Sequence, residues 1–336
     1  MYGLSQSAAR LLRLGAAVLL AAAMCLSVGV PFAGAADGQR MLVPVGHTVG
    51  VKLFSRGVLV VKQPESDTPA GECGLQTGDV ILQCAGVAVT STEQFQSLLQ
   101  KSGGTPTGLQ VRRLGESVAL TVEPEADDRG VYCIGAWIRD SMAGIGTMTY
   151  YDPETKVFGA LGHGIADVDT AMLMPFANGS ILPSTVKAVR KGEAGCAGEL
   201  RGNFDLTRDL GDLYANTSCG IFGTLDATAS VPGEAVPTGK AKAGPAVIRS
   251  NVRGDAVEEF TIEIVSVPTF APDGRELVLR VTDADLIALT GGIVQGMSGS
   301  PIMQDGKLVG AVTHVLLNDP CKGYGISIET MLNAAG

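Results

Sequence analysis

The sequence predicts a mainly β protein of two folded units behind an apolar leader, and three observations carry that prediction. The 336 residues suffice for two domains of ordinary size, and 46% of them are apolar, so each unit has material for a core. The 45 glycines set against 5% aromatic residues favour many tight turns between short strands. From residue 130 onward, apolar runs of strand length alternate with Gly, Pro, Asp and Asn. The formal net charge is −9 and no basic cluster occurs, so nucleic acid is not an expected partner.

Arg10 and Arg13 precede a run of 23 residues without charge, "LGAAVLLAAAMCLSVGVPFAGAA", from 14 to 36. A basic start, an apolar stretch and Ala33-x-Ala35 form an export signal, and the run is also long enough to cross a bilayer. Residues 1–36 are therefore expected to export the chain, either as a cleaved signal or as a retained membrane anchor. Residues 37–47 follow as a polar tether. Seven cysteines are present, Cys25 within the export run, but no C-x-x-C pair, and the three histidines are far apart. Neither a metal nor any other cofactor is expected, and buried free thiols are the default for the remaining cysteines.

The first folded unit spans 48–124. "VGVKLFSRGVLVV", 49 to 61, predicts two strand-like segments around Ser55-Arg56-Gly57. "TPAGECGLQTGDVILQCAGVAV", 68 to 89, gives a short helix signal, a Gly78-Asp79 turn and an apolar strand from Val80. "STEQFQSLLQKSGG", 91 to 104, has a capping residue, Phe95, Leu98 and Leu99 on one face, and a glycine stop, so it predicts an amphipathic helix. "TGLQVRRLGESVALTVEPE" predicts a hairpin turning at Leu114-Gly115-Glu116. This run resembles a bacterial PDZ domain. The resemblance implies that an extended peptide adds to a sheet edge, with a carboxylate-binding loop near Val49, Gly50 and Val51. The alternative is a PDZ-like spacer with a filled groove.

After the acidic linker "EADDRG", residues 125–336 make up the second unit. "GIGTMTYYDPETKVFGALGHGI", 144 to 165, predicts a hairpin turning at Asp152-Pro153-Glu154. "EEFTIEIVSV" and "RELVLRVTD" predict two strands joined by "PTFAPDG", and "KLVGAVTHVLL" predicts another. Many short strands at such intervals make a β-barrel or a sandwich.

The chemistry is concentrated in "QGMSGSP". A serine hydroxyl attacks only when a base takes its proton, and histidine has the suitable pKa. Ser298 is the candidate nucleophile, and the N–H groups of Gly296 and Ser298, two residues apart, are the candidate oxyanion hole. His47 opens the first unit and His314 lies within a strand, whereas His163 follows a strand end in "FGALGHG" and is the candidate base. The acid is open on residue pattern alone. Asp167 and Asp169 stand close after His163, Asp205, Asp209, Asp212 and Asp226 have no marking context, and Asp283 ends a strand but equally caps "ADLIAL". The order G-x-S-G-x-P before an apolar strand is similar to chymotrypsin-like and HtrA-like serine peptidases.

Taken together, the export run, the PDZ-like unit, "AGIGTMTYYDPETKVFGALGHGI" and "TGGIVQGMSGSPIMQDGKLVGAVTHVLLNDPCKGYGISIE" resemble the SpoIVB peptidases of sporulation. The resemblance implies an N-terminal PDZ domain followed by a chymotrypsin-like β-barrel peptidase, with His163, Asp283 and Ser298 as catalytic residues. It also implies export into the space between forespore and mother cell, self-cleavage, and cutting of the extracellular part of a membrane-bound regulator. That cut would release an intramembrane metalloprotease to process the sigma-K precursor. An HtrA-like quality-control protease, or an idle PDZ adaptor, is the alternative reading.

Overall fold

In the computed structural model, residues 39–336 are described apart from 269, 270 and 272–274, so the export run of 14–36 lies outside the described residues. The chain enters through β1 (Met41–Pro44), which occupies part of the expected tether. Its Val43 and Pro44 pair with Tyr151 and Tyr150, and its Met41 pairs with Pro237. Next comes β2 (Thr48–Val60), a single strand of 13 residues where two segments were expected. A register shift between Phe54 and Leu59 divides it, and its first half pairs with residues 176–183 whereas its second half pairs with Val80 and Ile81.

The second half of β2 opens the PDZ unit, which continues through α1 (Pro69–Glu72), β3 (Val80–Cys84), α2 (Thr92–Ser102), β4 (Thr107–Arg113) and β5 (Glu116–Val122). Helix α2 starts where the Ser91 hydroxyl accepts the Gln94 N–H at 3.1 Å and stops at Gly103 in the left-handed region. Its Phe95 and Leu99 pack with Val58, Val60, Ile81 and Val111. The Gly78-Asp79 turn is fixed electrostatically: the buried Asp79 carboxylate accepts from Arg113 Nε and Nη2, both at 2.7 Å. Asp79 is thus a structural turn residue, as its sequence context implied.

A six-stranded ring follows, built from the first half of β2 with β6 (Ile138–Tyr151), β7 (Val157–Ala160), β8 (Phe176–Arg190), β9 (Gly211–Thr217) and β10 (Gly220–Leu225). β6 pairs β7, β7 pairs β10, β10 pairs β9, β9 pairs β8, and β8 pairs β2, which pairs back to β6. The hairpin turn at Asp152-Pro153-Glu154 falls between β6 and β7 as expected. Val49, Gly50 and Val51 sit mid-strand in this ring, bonded to Pro183, Leu182 and Ile181 on one side and to Gly146, Ile145 and Gly144 on the other. They form no carboxylate-binding loop, because both edges of their strand are already satisfied.

A second closed barrel comprises β11 (Gly244–Arg253), β12 (Ala256–Ser266), β13 (Leu277–Val281), β14 (Pro301–Gln304), β15 (Lys307–Leu316) and β16 (Asp319–Ser327). Helix α3 (Ala284–Thr290) leads from β13 to the serine loop, and α4 (Ile328–Ala335) closes the described chain. Ile248, Phe260, Ile262, Leu279, Ile302 and Val312 fill this barrel, and Val294 and Met297 of the serine loop are buried with them. The architecture is mainly β, a PDZ unit followed by a chymotrypsin-like barrel pair. Among the described residues no helix is long and apolar enough to cross a membrane.

Candidate active site

The serine loop is held from below by its apolar residues and from the side by the first barrel. Ile293, Val294 and Met297 are buried, which leaves the backbone between them to make the turn. Thr147 of β6, itself fully buried, ties down the loop's carbonyls. Its hydroxyl donates to the Gly296 carbonyl at 2.7 Å, and its N–H donates to the Ser298 carbonyl at 2.8 Å. The N–H groups of Met297, Gly299 and Ser300 are bonded to the Val294, Val312 and Met297 carbonyls. Those of Gly296 and Ser298 find no acceptor among the described residues. Gly299 is required by contact: at φ +96°, a Cβ there would run into the Thr147 carbonyl oxygen and the Leu161 nitrogen. The glycine makes room for the first barrel.

His163 arrives from the opposite side. Leu161 and Gly162, both in the left-handed region, turn the chain out of β7, and the Leu161 N–H holds the Thr147 carbonyl at 3.1 Å. The same threonine therefore anchors the histidine turn and the serine loop. The ring Nδ1 donates to the Gly164 carbonyl at 2.9 Å, since a carbonyl only accepts. That bond fixes the tautomer that leaves Nε2 as a free lone pair. Burial pushes the imidazole below its ordinary pKa, and the Gly164 carbonyl works in the other direction.

Ser298 and His163 converge on two adjacent residues of β15. The Ser298 hydroxyl donates to the Thr313 carbonyl at 2.7 Å, and the His314 ring centroid lies 5.3 Å from that of His163. Sequence reasoning set His314 aside because it lies within a strand, and Thr147, Thr313 and Gly164 went unremarked because they act through backbone atoms or a buried hydroxyl. Ser300 is a core residue, fully buried. His47 lines a separate cavity of about 790 Å3 with Val45, Met148, Leu225, Arg249 and Glu259, which contains neither His163 nor Ser298.

Asp283 is engaged elsewhere. It is the N-cap of α3, and its carboxylate accepts the Leu286 N–H at 2.9 Å and the Thr261 N–H at 3.2 Å. Burial works to raise its pKa, but the N–H donors of Leu286, Thr261 and Asp285 outweigh it and hold the carboxyl below the usual range. Four of the other candidate acids are committed too: Asp167 and Asp169 pair with Arg139, Asp209 with Lys52 at 2.9 Å, and Asp205 accepts from Thr207. Among the described residues no carboxylate bonds the His163 ring, and the Gly164 carbonyl occupies the place where an acid was expected.

Known proteins resemble this chain in pieces and as a family. Serine protease HTRA1 of Xenopus tropicalis is 39% identical over 59 residues, 18% of this chain and 13% of that protein. Zinc metalloprotease RasP of Oceanobacillus iheyensis is 30% identical over 101 residues, 30% and 23% of the two chains. The chain thus spans between 13% and 23% of the length of these curated relatives. Among solved structures, the PDZ domain of an SdrC-like protein from Listeria innocua is 23% identical, with 25% of this chain and 93% of that one covered and a TM-score of 0.23. The active form of the Rv3671c protease from M. tuberculosis is 14% identical, with 58% and 75% covered and a TM-score of 0.32. A PDZ family model matches residues 60–113, and the model of the SpoIVB peptidase S55 family matches residues 130–332. The latter match covers more than half of the sequence and takes in β6, the histidine turn and the serine loop; the chain belongs to the SpoIVB peptidase S55 family.

Proposed function

We propose that this PDZ-containing serine protease cuts peptide bonds with Ser298 as nucleophile and His163 as general base. The bonding of the serine loop supports the reading: its carbonyls are drawn to Thr147, and the N–H groups of Gly296 and Ser298 are left for an oxyanion. At rest the Ser298 hydroxyl is parked on the Thr313 carbonyl. Attack turns it toward Nε2 of His163, which takes the proton and returns it to the leaving amine, and water then hydrolyses the acyl-enzyme. The Gly164 carbonyl orients the ring. Asp283 acts by capping α3, whose far end runs into the serine loop.

Family membership supports a wider role, that of an exported sporulation signal. The enzyme cuts itself free ahead of β1, then cuts the extracellular part of a membrane-bound regulator and so starts processing of the sigma-K precursor. The substrates are therefore proteins, itself included. A fluorophosphonate probe tests the chemistry directly. It is expected to label wild type at Ser298 and to fail on Ser298→Ala and His163→Ala. Labelling of a folded Ser298→Ala protein at another serine would remove the assignment.

A further inference from the structure

The segment that joins the PDZ unit to the protease lies along the edge where a PDZ domain receives its ligand. One edge of the second half of β2 is taken by β3, with Val58 opposite Ile81 and Leu59 opposite Val80. An extended peptide adds to a PDZ domain as a strand on such a sheet edge. Here the other edge is already paired. Leu59 faces Arg139 and Val60 faces Ile138 in antiparallel register, and the Val61 N–H donates to the Trp137 carbonyl at 2.9 Å. Helix α2 grips the same stretch from its far side. The Gln96 and Gln100 amides donate to the Tyr132 carbonyl at 2.7 and 3.3 Å, and Thr92 donates its N–H and hydroxyl to Asp140 at 2.7 and 3.1 Å. Ile134 is buried in the PDZ core, with Ala136 and Ile138 packed against it, the alternation of a bound strand.

We propose that residues 132–140 are the resident ligand of the PDZ groove, and that a partner peptide engages the groove by exchanging with them. The resident strand has no chain end. It continues past Asp140 into the barrel portion of β6, where Ser141 pairs with Phe54, so the groove is shaped for an extended internal segment. Exchange reaches the protease through Arg139, whose guanidinium pairs with Asp167 and, at 2.9 Å, with Asp169 of the loop that follows His163. Met174 of that loop packs with Leu59, Val61 and Val80 of the PDZ unit. A peptide that lifts Arg139 away frees the histidine loop. This last link rests on His163 being the base.

The test uses the full chain and a fluorescent synthetic peptide of residues 131–140 carrying Cys133→Ser. The double variant Ile134→Ala, Asp140→Ala loosens the resident strand, and Val60→Cys with Ile138→Cys, which face one another across the pair, locks it on oxidation. The peptide is expected to bind the loosened protein at least tenfold more tightly than wild type, to lose binding to the oxidised lock, and to regain it on reduction. Backbone hydrogen exchange over residues 164–176 is expected to speed up when the peptide binds. If the double variant fails to fold, Asp140→Ala alone and the lock decide. Equal affinity for all forms, or binding to none, overturns the resident-ligand proposal, and unchanged exchange over 164–176 overturns the link to the histidine loop. Neither readout needs turnover, so failure of the catalytic assignment would be seen separately.

Discussion

Thr147 and the Gly164 carbonyl change how the catalytic pair is understood. A buried threonine on β6 holds both the serine loop and the histidine turn, so the two reactive side chains share one anchor. Ser298→Ala is expected to lower peptide cleavage on the order of a millionfold while leaving the fold intact. Ser300→Ala removes a buried hydroxyl that has no hydrogen-bond partner among the described residues, so activity and thermal stability should both stay near wild type. Reversed outcomes in a cleavage assay would misplace the nucleophile. For His163 the pH sign is definite. Its folded-state pKa lies below 6.5, so the base stays neutral to lower pH than a free imidazole, and the acidic limb of kcat/KM should have its midpoint below 6.5. Between that midpoint and 6.5 the unfolded chain binds a proton that the folded chain refuses. The contribution of His163 to stability is therefore full above 6.5 and is lost as pH falls through that window. A midpoint above 6.5 would mean that a carboxylate does reach the ring.

At the scale of elements, α3 decides what Asp283 does. Its carboxylate satisfies the first turn of the helix, and Gly291 ends the helix in the left-handed region where the serine loop begins. Asparagine caps a helix about as well as aspartate, whereas alanine loses about 1 kcal/mol. Asp283→Asn should therefore keep most turnover, and Asp283→Ala should lose part of it together with a few degrees of Tm. A true triad acid behaves otherwise, because its replacement by asparagine costs about 10⁴ in kcat. The sequence offered both readings, since a strand end before "ADLIAL" suits a cap and a catalytic acid equally. Hydrogen-bond geometry separates them.

For the whole molecule, β2 is the seam. Its first half closes the first barrel and its second half starts the PDZ sheet, so the two units share one strand. A protein of residues 125–336 would lack the strand that joins β8 to β6. It is expected to leave that barrel open and to show neither fluorophosphonate labelling nor a cooperative melt. A chain that keeps β1 and β2 and replaces only the loops and hairpin of the PDZ unit should retain the melt. Cooperative folding of 125–336 alone would show that β2 is dispensable. Self-processing belongs to this scale as well. Met41 and Val43 are paired, so the cut is expected before β1, and wild type should accumulate with a shorter N-terminus than Ser298→Ala. Identical N-termini, by sequencing, would assign that end to a signal peptidase alone.

Local signals in the sequence determined a great deal. Glycine and proline punctuation, the Ser91 and Gly103 caps, the Gly78-Asp79 turn, the hairpin at Asp152-Pro153-Glu154 and the glycine loop around Ser298 each follow from residues a few positions apart, where backbone preference dominates. The two-unit, mainly β plan and the family followed from those motifs. The tertiary structure decided what depends on partners far along the chain. It joined 49–60 into one strand shared by the first barrel and the PDZ unit, which removed the carboxylate loop expected at Val49, Gly50 and Val51. It committed Asp283 to a helix cap, set the Gly164 carbonyl behind His163, and paired residues 137–139 with the PDZ edge of β2. Strand pairing and side-chain hydrogen bonds are non-local: alternation of apolar residues says which face is buried, and only the packed chain says which neighbour completes each edge.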